Sequence, residues 1–308
     1  MYGKRREEHD LAFNLYFAGS QVKLADEVIE EHNLLRLLSY LNDKRHIFNR
    51  KEKGLVTFID SGAFSAHTKG AEVDVDDYIA FLNEHDETVS ICAQLDTIPG
   101  EFGKPKTKEQ LLAAPESSWK NYLYMYDRLK SPKKLLPIFH QGEDFKHLHR
   151  MLNHEPKIEY MGISPANDMP TQSKEKWINE CFKIIKDSPN PNIKTHAFGM
   201  TSLWVLERYP FTSADSTSWI MTGANGGIMS KFGVLMVSEN GKKNPKHIAN
   251  LPKLILEELT SYVEERGFTL KQLAEDYKQR IIWNILYLKD WAENYEYKPV
   301  ETSQKKLF

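Results

Sequence analysis

The sequence predicts an α/β fold, a (β/α)8 barrel of the TIM type with a C-terminal helical extension. Apolar runs of strand length alternate with amphipathic segments of helix length, which is the pattern of repeated βα units. Five of these apolar runs end in a polar or acidic residue, as expected for strands that deliver side chains to the C-terminal face of a barrel. The chain has 308 residues, whereas a single barrel needs roughly 250. An appendage can therefore follow the barrel.

The strands and helices of the barrel can be placed in order along the chain. Eight strands are predicted near residues 13–18, 55–60, 89–95, 135–140, 159–164, 194–198, 212–215 and 232–237. Helices are predicted between them, beginning at Asp74 or Asp76, at Pro170 and at Ser202. After residue 238 the alternation stops and two long helical patterns follow. We therefore predict a barrel over residues 1–240 and a helical extension packed on it over residues 241–308.

The charge balance restricts how this chain can meet a polyanion. The formal net charge is −2 and the isoelectric point is near 6.6, so the protein is not globally basic. Nucleic acid would have to contact a local patch. Candidate contacts are Lys231, in a glycine-rich segment, and Lys278 and Arg280, along the last predicted helix. The alternative is a solvated polar face opposite a packed stripe.

Cysteine usage and hydropathy indicate the compartment. The two cysteines, Cys92 and Cys181, have a spacing that suits neither a disulfide framework nor a zinc site. The first residues are charged where a signal peptide would be apolar, and no apolar run approaches the roughly 18 residues of a membrane span. A soluble cytoplasmic protein without a membrane partner is predicted.

Two of the strand-end carboxylates suit displacement at a sugar carbon. Asp215 lies in SADSTSW, where neighbouring hydroxyls can hold a carboxylate ionised, and it is the candidate nucleophile. Asp60 lies in DSGAFS, where Gly62 permits a sharp turn directly after the strand. One carboxylate can attack while the other moves the proton of the leaving group. The pair therefore indicates glycosyl chemistry.

Other strand-end groups suit recognition of a flat base. Asp96 can accept from the N–H groups of a guanine-like edge, while Gln141 and the backbone at Gly142 can meet its carbonyl. Phe64 is a candidate to flank the ring. Each aspartate alone would be explained as a turn or a helix cap, so the prediction depends on their joint occurrence. The histidines of these strand ends, His140 and His196, are expected to be buried and hydrogen-bonded.

These motifs together carry a resemblance to a known family. The order DSGAFS, LDTIP, HQG, MGIS, HAFGM and FTSADSTSW, followed by GANGG, resembles the tRNA-guanine transglycosylase superfamily, over roughly residues 55–237. The family has a (β/α)8 barrel and replaces guanine in a polynucleotide by a 7-deazaguanine without cutting the backbone. The resemblance implies that Asp215 is the covalent nucleophile and Asp60 the general acid/base. It further implies base-binding positions at Asp96, Gln141, Gly142 and Gly162. Ser61 and Phe64, which lie in DSGAFS, are the other two predicted base-binding residues.

The departures from the family pattern concern the polynucleotide. The tRNA enzymes carry a zinc-binding CxCxxC with a later histidine, which two distant cysteines cannot form. DSGAFS also replaces the usual DSGGFQ. The chain is most similar to the DNA-modifying branch, which includes phage-encoded forms that would act in the host cytoplasm.

The expected partners follow from this branch. They are guanine sites in DNA, a free 7-deazaguanine base and, to open the duplex, a helper protein. No cofactor and no metal are expected, because one glycosidic bond replaces another.

Three alternatives stay open at this point. The first is the same reaction on tRNA. The second is a non-catalytic nucleic-acid-binding subunit of such an enzyme, although Asp60 and Asp215 are both retained. The third is an unrelated barrel hydrolase that acts on small glycosides or nucleosides, in which the two acids would act with water in place of a second base.

Overall fold

The computed structural model describes residues 13–19, 23–166, 168–200 and 202–299. These residues belong to two compact units. The barrel unit falls within residues 13–19, 35–215 and 296–299, and the helical unit within residues 23–34 and 216–295. The domain boundary predicted after residue 240 differs from this division, which assigns residues 216–240 to the helical unit.

The barrel unit is built on one parallel sheet that is nearly closed on itself. Its strands are β1 Asn14–Ala18, β2 Arg36–Ser39, β3 Thr57–Asp60, β4 Val89–Ala93, β5 Leu135–Leu136, β6 Ile138–His140, β7 Tyr160–Ser164, β8 Lys194–Ala197 and β9 Ser213–Ser216. They are hydrogen-bonded in the order β5-β4-β3-β2-β1-β9-β8-β7-β6. The two outermost strands, β5 and β6, are separated only by Pro137, whose carbonyl accepts from the N–H of Gly162 at 2.8 Å. Together they occupy one strand position, so the predicted (β/α)8 barrel is confirmed.

Helices alternate with these strands. In the barrel unit they are α2 Lys44–Glu52, α3 Ala63–Thr68, α4 Val75–Glu84, α5 Lys108–Tyr126, α6 Phe145–Leu152, α7 Thr171–Lys186 and α8 Leu203–Arg208. The predicted starts at Asp74, Pro170 and Ser202 are the N-cap positions of α4, α7 and α8. Asp74 fixes the first turn of α4 by accepting from the backbone N–H groups of Asp76 and Asp77.

One predicted barrel strand was wrong, and one barrel strand was missed. The apolar run near residues 232–237 forms β11 Gly233–Met236, which pairs antiparallel with β10 Gly227–Ser230 in the helical unit. The missing strand is β2, which pairs parallel with both β1 and β3. Its segment, LLRLLSY, has apolar residues at helical as well as strand spacing, so periodicity alone could not identify it.

The helical unit has its own apolar core. It contains α1 Lys23–Glu31, α9 Ser218–Ala224, α10 Lys253–Glu264, α11 Leu270–Glu275 and α12 Tyr277–Glu293, with the hairpin β10–β11. The indole N–H of Trp283 donates to the carbonyl of Met229 at 2.7 Å, and the Asn284 side chain accepts from the N–H of Met229 at 2.7 Å. These bonds tie the hairpin to α12. No helix of the described residues is both long and apolar enough to span a bilayer.

The inside of the barrel is filled by large side chains from alternate strand positions. Tyr16, Phe58 and His196 contact one another edge to face, with ring centroids 4.8–5.8 Å apart. Phe198 also contacts Phe58 and His196. The barrel is therefore a packed core, and only its strand ends can offer a site.

Candidate active site

Three carboxylates lie at the C-terminal ends of the barrel strands. Asp60 is the last residue of β3, Asp96 follows β4 and Asp215 lies in the last barrel strand, β9. Because the strands are parallel, these positions share one end of the barrel. Asp96 and Asp215 are near enough for their charges to raise the pKa of Asp60. The structure thus brings together the three aspartates that the sequence singled out.

Asp60 is held in a state that favours its protonated form. Burial raises the pKa of its carboxyl most, the charges of Asp96 and Asp215 add to the rise, and a hydrogen bond from the N–H of Gly62 opposes it; the resulting pKa is about 6, against an ordinary value of 3.8. That bond, to Oδ2, is 3.0 Å long and depends on the turn between β3 and α3. A carboxyl with a pKa near neutrality can give and take a proton under ordinary conditions.

Asp215 is held differently, through one of its two oxygens. Its side chain is buried, and Oδ1 accepts from the N–H of Gly199 at 2.8 Å and lies 3.2 Å from Nε2 of His196. No described residue donates a hydrogen bond to Oδ2. One oxygen is therefore fixed and the other is left for a reaction partner.

A chain of hydrogen bonds continues from Asp215 into the barrel. Because a carboxylate only accepts, Nε2 of His196 must carry the proton that it shares with Asp215. Nδ1 of His196 then accepts from the hydroxyl of Ser213, at 2.5 Å, and Ser213 can accept from the hydroxyl of Tyr160. His196 and Ser213 are completely buried. No substrate can therefore reach the Ser213 hydroxyl, so these side chains do not form a serine hydrolase triad. Instead, His196 and Ser213 fix the Asp215 carboxylate.

Asp96 is surrounded by donors. Its Oδ1 accepts from the Gln94 side chain at 2.6 Å, and its Oδ2 lies 3.2 Å from Nε2 of His140. Nδ1 of His140 lies 3.3 Å from a carboxylate oxygen of Glu143. Burial alone would lower the pKa of His140, but the carboxylates of Asp96 and Glu143 outweigh it and raise this pKa to about 10. A cationic imidazole therefore stands beside Asp96, a feature that the sequence did not reveal.

The other predicted base-binding residues have structural contacts of their own. The Gln141 side chain accepts from the N–H of Ala166 at 3.0 Å and lies 3.5 Å from the carbonyl of Ser173, so it holds the segment between β7 and α7. Gly162 is buried, and a Cβ there would lie 2.4 Å from the ring of Phe198. Both residues thus shape the barrel end whether or not they contact a ligand.

The remaining three predicted base-binding residues surround the same barrel end. Gly142 is exposed and has a φ of +106°, a conformation that favours glycine. Ser61 is buried directly after β3, and Phe64 is 60% exposed on α3. Phe64 is therefore free to meet a ring, whereas Ser61 belongs to the turn.

A cavity of about 650 Å³ adjoins Asp96. It is lined by α3 and the segment after it, by Asn121 of α5 and by the β4–α5 loop, including Asp96 and Phe102. Asp60 and Asp215 do not line it. Its volume falls within the range of roughly 300–1,000 Å³ that is usual for small-molecule sites. A bicyclic base could enter beside Asp96.

The three predicted nucleic-acid contacts lie in the helical unit, and one of them is not at the surface. Lys231 pairs with Glu258 at 2.5 Å, and Lys278 is exposed. Arg280 is buried, and its guanidinium donates to backbone carbonyls, including that of Gly223 at 2.7 Å. The prediction for Arg280 is therefore corrected, because these carbonyls take up the donors that a phosphate would need.

Comparison with protein families and with curated proteins identified no relative of this chain: no protein-family model matches it, and no curated protein matches it. Among the described residues, no group of three or more His, Cys, Asp or Glu side chains is arranged to hold a metal ion.

Proposed function

We propose that this protein is a base-exchanging transglycosylase that replaces guanine in DNA by a 7-deazaguanine. The observation that supports this best is the pair of unlike carboxylates at one barrel end. Asp60 has a pKa of about 6 through burial, and Asp215 has one oxygen fixed by two donors and one oxygen free. Two carboxylates in different environments suit the acid/base and nucleophile roles of a double displacement at a sugar carbon.

In the first step, Asp215 attacks through its free oxygen, Oδ2. A bond forms between this oxygen and C1′ of the target deoxyguanosine, and the bond from C1′ to N9 of guanine breaks. The electron pair of that bond leaves with guanine, and Asp60 supplies the proton that neutralises the departing base. The hydrogen bonds from Gly199 and His196 to Oδ1 hold the carboxylate in place during the attack.

In the second step, the incoming 7-deazaguanine reverses the bond changes of the first step. Its N9 proton passes to Asp60, its N9 forms a bond with C1′, and the bond from C1′ to Asp215 breaks. Two inversions restore the original anomeric configuration. The polynucleotide backbone stays intact, and the exchange involves no oxidation or reduction.

Recognition of the base is assigned to the surroundings of Asp96. Its carboxylate can accept from the N1–H and the exocyclic amine of guanine, and the His140 imidazolium beside it can donate to a ring carbonyl. The cavity beside Asp96 has room for a flat bicyclic base. A target base must leave the duplex to enter, which costs a few kcal/mol that these contacts must offset.

The test is base exchange with radiolabelled guanine on duplex DNA, single-stranded DNA and tRNA. We expect label to enter DNA with the wild type and not with Asp215→Asn, which retains an acceptor for Gly199. Without an acceptor base, the wild type should form a covalent protein–DNA adduct that resists denaturation, and Asp215→Asn should not.

Asp187→Asn, at an exposed position after α7, is the matched control and should behave as the wild type. Label in tRNA alone would reassign the polynucleotide. Release of guanine without exchange or adduct would indicate a hydrolase. Binding of DNA without release, exchange or adduct would indicate a non-catalytic subunit.

A further inference from the structure

A basic groove lies at the end of the barrel opposite the aspartates. It has a volume of about 1260 Å³ and is formed by α7, by the starts of β8 and β9, by the end of α8 and by residues 297 and 299. Lys194 is the first residue of β8, and Thr212 precedes β9, whereas Asp215 follows within β9. The groove is therefore separate from the candidate active site.

The charge of the groove contrasts with that of the chain. Its lining contains the cations Lys176, Lys183, Lys186, Lys194 and Arg208 and a single carboxylate, Glu175. Arg208 pairs with Glu175 at 2.9 Å, and Lys183 lies 3.6 Å from Glu180. The other three lysines have no ion pair within the described residues, and all three are exposed. A protein with a net charge of −2 thus concentrates uncompensated positive charge here.

Aromatic side chains accompany these cations. The rings of Phe182 and Tyr209 stack with their centroids 5.7 Å apart and an interplanar angle of 15°. Phe182 also packs edge to face against Phe211, a core residue, so the stack is anchored. Tyr297, also in the lining, is 44% exposed. Phe182 and Tyr209 are half-buried, so Tyr297 offers the exposed ring face. Cations beside an exposed ring are a surface that single-stranded nucleic acids bind, because phosphates meet the charges and a base stacks on the ring.

We propose that this groove binds single-stranded nucleic acid. The groove would bind nucleotides of the strand other than the target nucleotide. This binding site is additional to the base exchange proposed above. Rigid duplex DNA would offer its phosphates but not its base faces, so the exposed ring of Tyr297 favours an unpaired strand. The binding does not depend on guanine.

The experiment uses a fluorescein-labelled 20-nucleotide oligo(dT) and the full chain, with binding followed by anisotropy at several salt concentrations. Oligo(dT) has no guanine, so its binding reports on the groove even if base exchange proves wrong. The double variant Lys186→Glu/Lys194→Glu should weaken binding at least tenfold. It should also reduce the slope of log K against log salt by about 1.4, since each lost single-strand phosphate contact contributes about 0.7.

The matched control changes two exposed lysines of α5, Lys108→Glu/Lys120→Glu, which alters the net charge equally. It should bind as the wild type does. Tyr297→Ala should weaken binding roughly tenfold without changing the salt slope, because stacking involves no counterion. Equal weakening by both double variants, or equal binding of an acidic peptide of the same charge, would overturn the proposal. Circular dichroism spectra confirm that each variant is folded.

Discussion

Asp60 and Asp215 are the same residue type at the same barrel end, yet their surroundings give them different chemistry. Asp215 accepts two N–H bonds on one oxygen, whereas the Asp60 carboxyl accepts from the N–H of Gly62 and has its pKa raised by burial. A raised pKa means that the folded protein disfavours the charged form of Asp60. This cost can be measured as a dependence of stability on pH.

We expect Asp60→Asn to stabilise the protein at pH 8 and to abolish base exchange. Between pH 3.8 and about 6 the folded state retains the Asp60 proton and the unfolded state does not, so wild-type stability falls as the pH rises through this window. The full effect above pH 6 is at most about 3 kcal/mol, and asparagine avoids it while still accepting from Gly62. Urea denaturation at several pH values measures the difference.

The stability difference between Asp60→Asn and the wild type should vanish below about pH 4, where aspartate is protonated in both states. Asp187→Asn, the same substitution at an exposed position, is the control. A difference that stays constant across pH would contradict the pKa shift of Asp60. A variant that is less stable at pH 8 would show that the Asp60 charge is needed for folding.

The turn between β3 and α3 is the element on which Asp60 depends. Gly62 has a φ of +77°, and a Cβ there would lie 2.6 Å from Oγ of Ser39 and 2.7 Å from Cβ of Leu41. Any side chain would force β2 and the turn apart and lengthen the hydrogen bond from Gly62 to Asp60. Strand, turn and helix therefore fix this carboxyl as a unit.

Gly62→Ala is expected to lower the free energy of unfolding by about 2–4 kcal/mol, through both backbone strain and overlap. Gly70→Ala separates the two causes, since Gly70 has a φ of +65° but no atom within 4 Å of its Cβ position. It should cost only about 1–2 kcal/mol, the strain of the left-handed conformation. Urea denaturation of both variants provides the comparison. Equal losses would mean that the overlap with Ser39 and Leu41 is relieved without cost.

The sequence predicted those elements whose local pattern is unambiguous. The strand ends at Asp60, Asp96 and Asp215 could be identified because an apolar run stops at a polar residue. β2 and the β10–β11 hairpin could not, since a run of four residues has the same composition in a barrel strand and in a hairpin. Pairing decides between them, and pairing is a long-range property.

The acidic residues of the candidate site could be predicted from the sequence, but the groups that surround them could not. The chain from Asp215 through His196 and Ser213 to Tyr160 joins residues of three strands, and no spacing in the sequence indicates it. The burial of Arg280 was hidden for a similar reason. Its carbonyl partners become neighbours only when α9, α11 and α12 assemble.

The division of the chain into units gives a further prediction. A chain that ends at residue 240, the boundary suggested by the sequence, retains the hairpin but loses α10 to α12. The buried side chains of Ile228 and Leu235 would lose their partners Leu259 and Trp283, and Met229 its bonds to α12. We expect this chain to bind the dye ANS and to lose the cooperative unfolding of residues 216–240, which hydrogen exchange can follow.

A chain that ends at residue 299 is the control and should unfold as the full chain does. If the chain ending at residue 240 keeps its hairpin amides protected, the hairpin belongs to the barrel after all, as the sequence suggests. Loss of protection confined to residues 216–240 supports the division at residue 215.

The position of Asp215 in β9 has a consequence for synthesis of the protein on the ribosome. β9 is the last barrel strand in the chain, and it lies between β8 and β1, the first. Until it emerges, β1 and β8 are open edges that can pair with other chains. The same strand carries the candidate nucleophile, so the nascent chain acquires its chemistry and closes its exposed edges in one folding event.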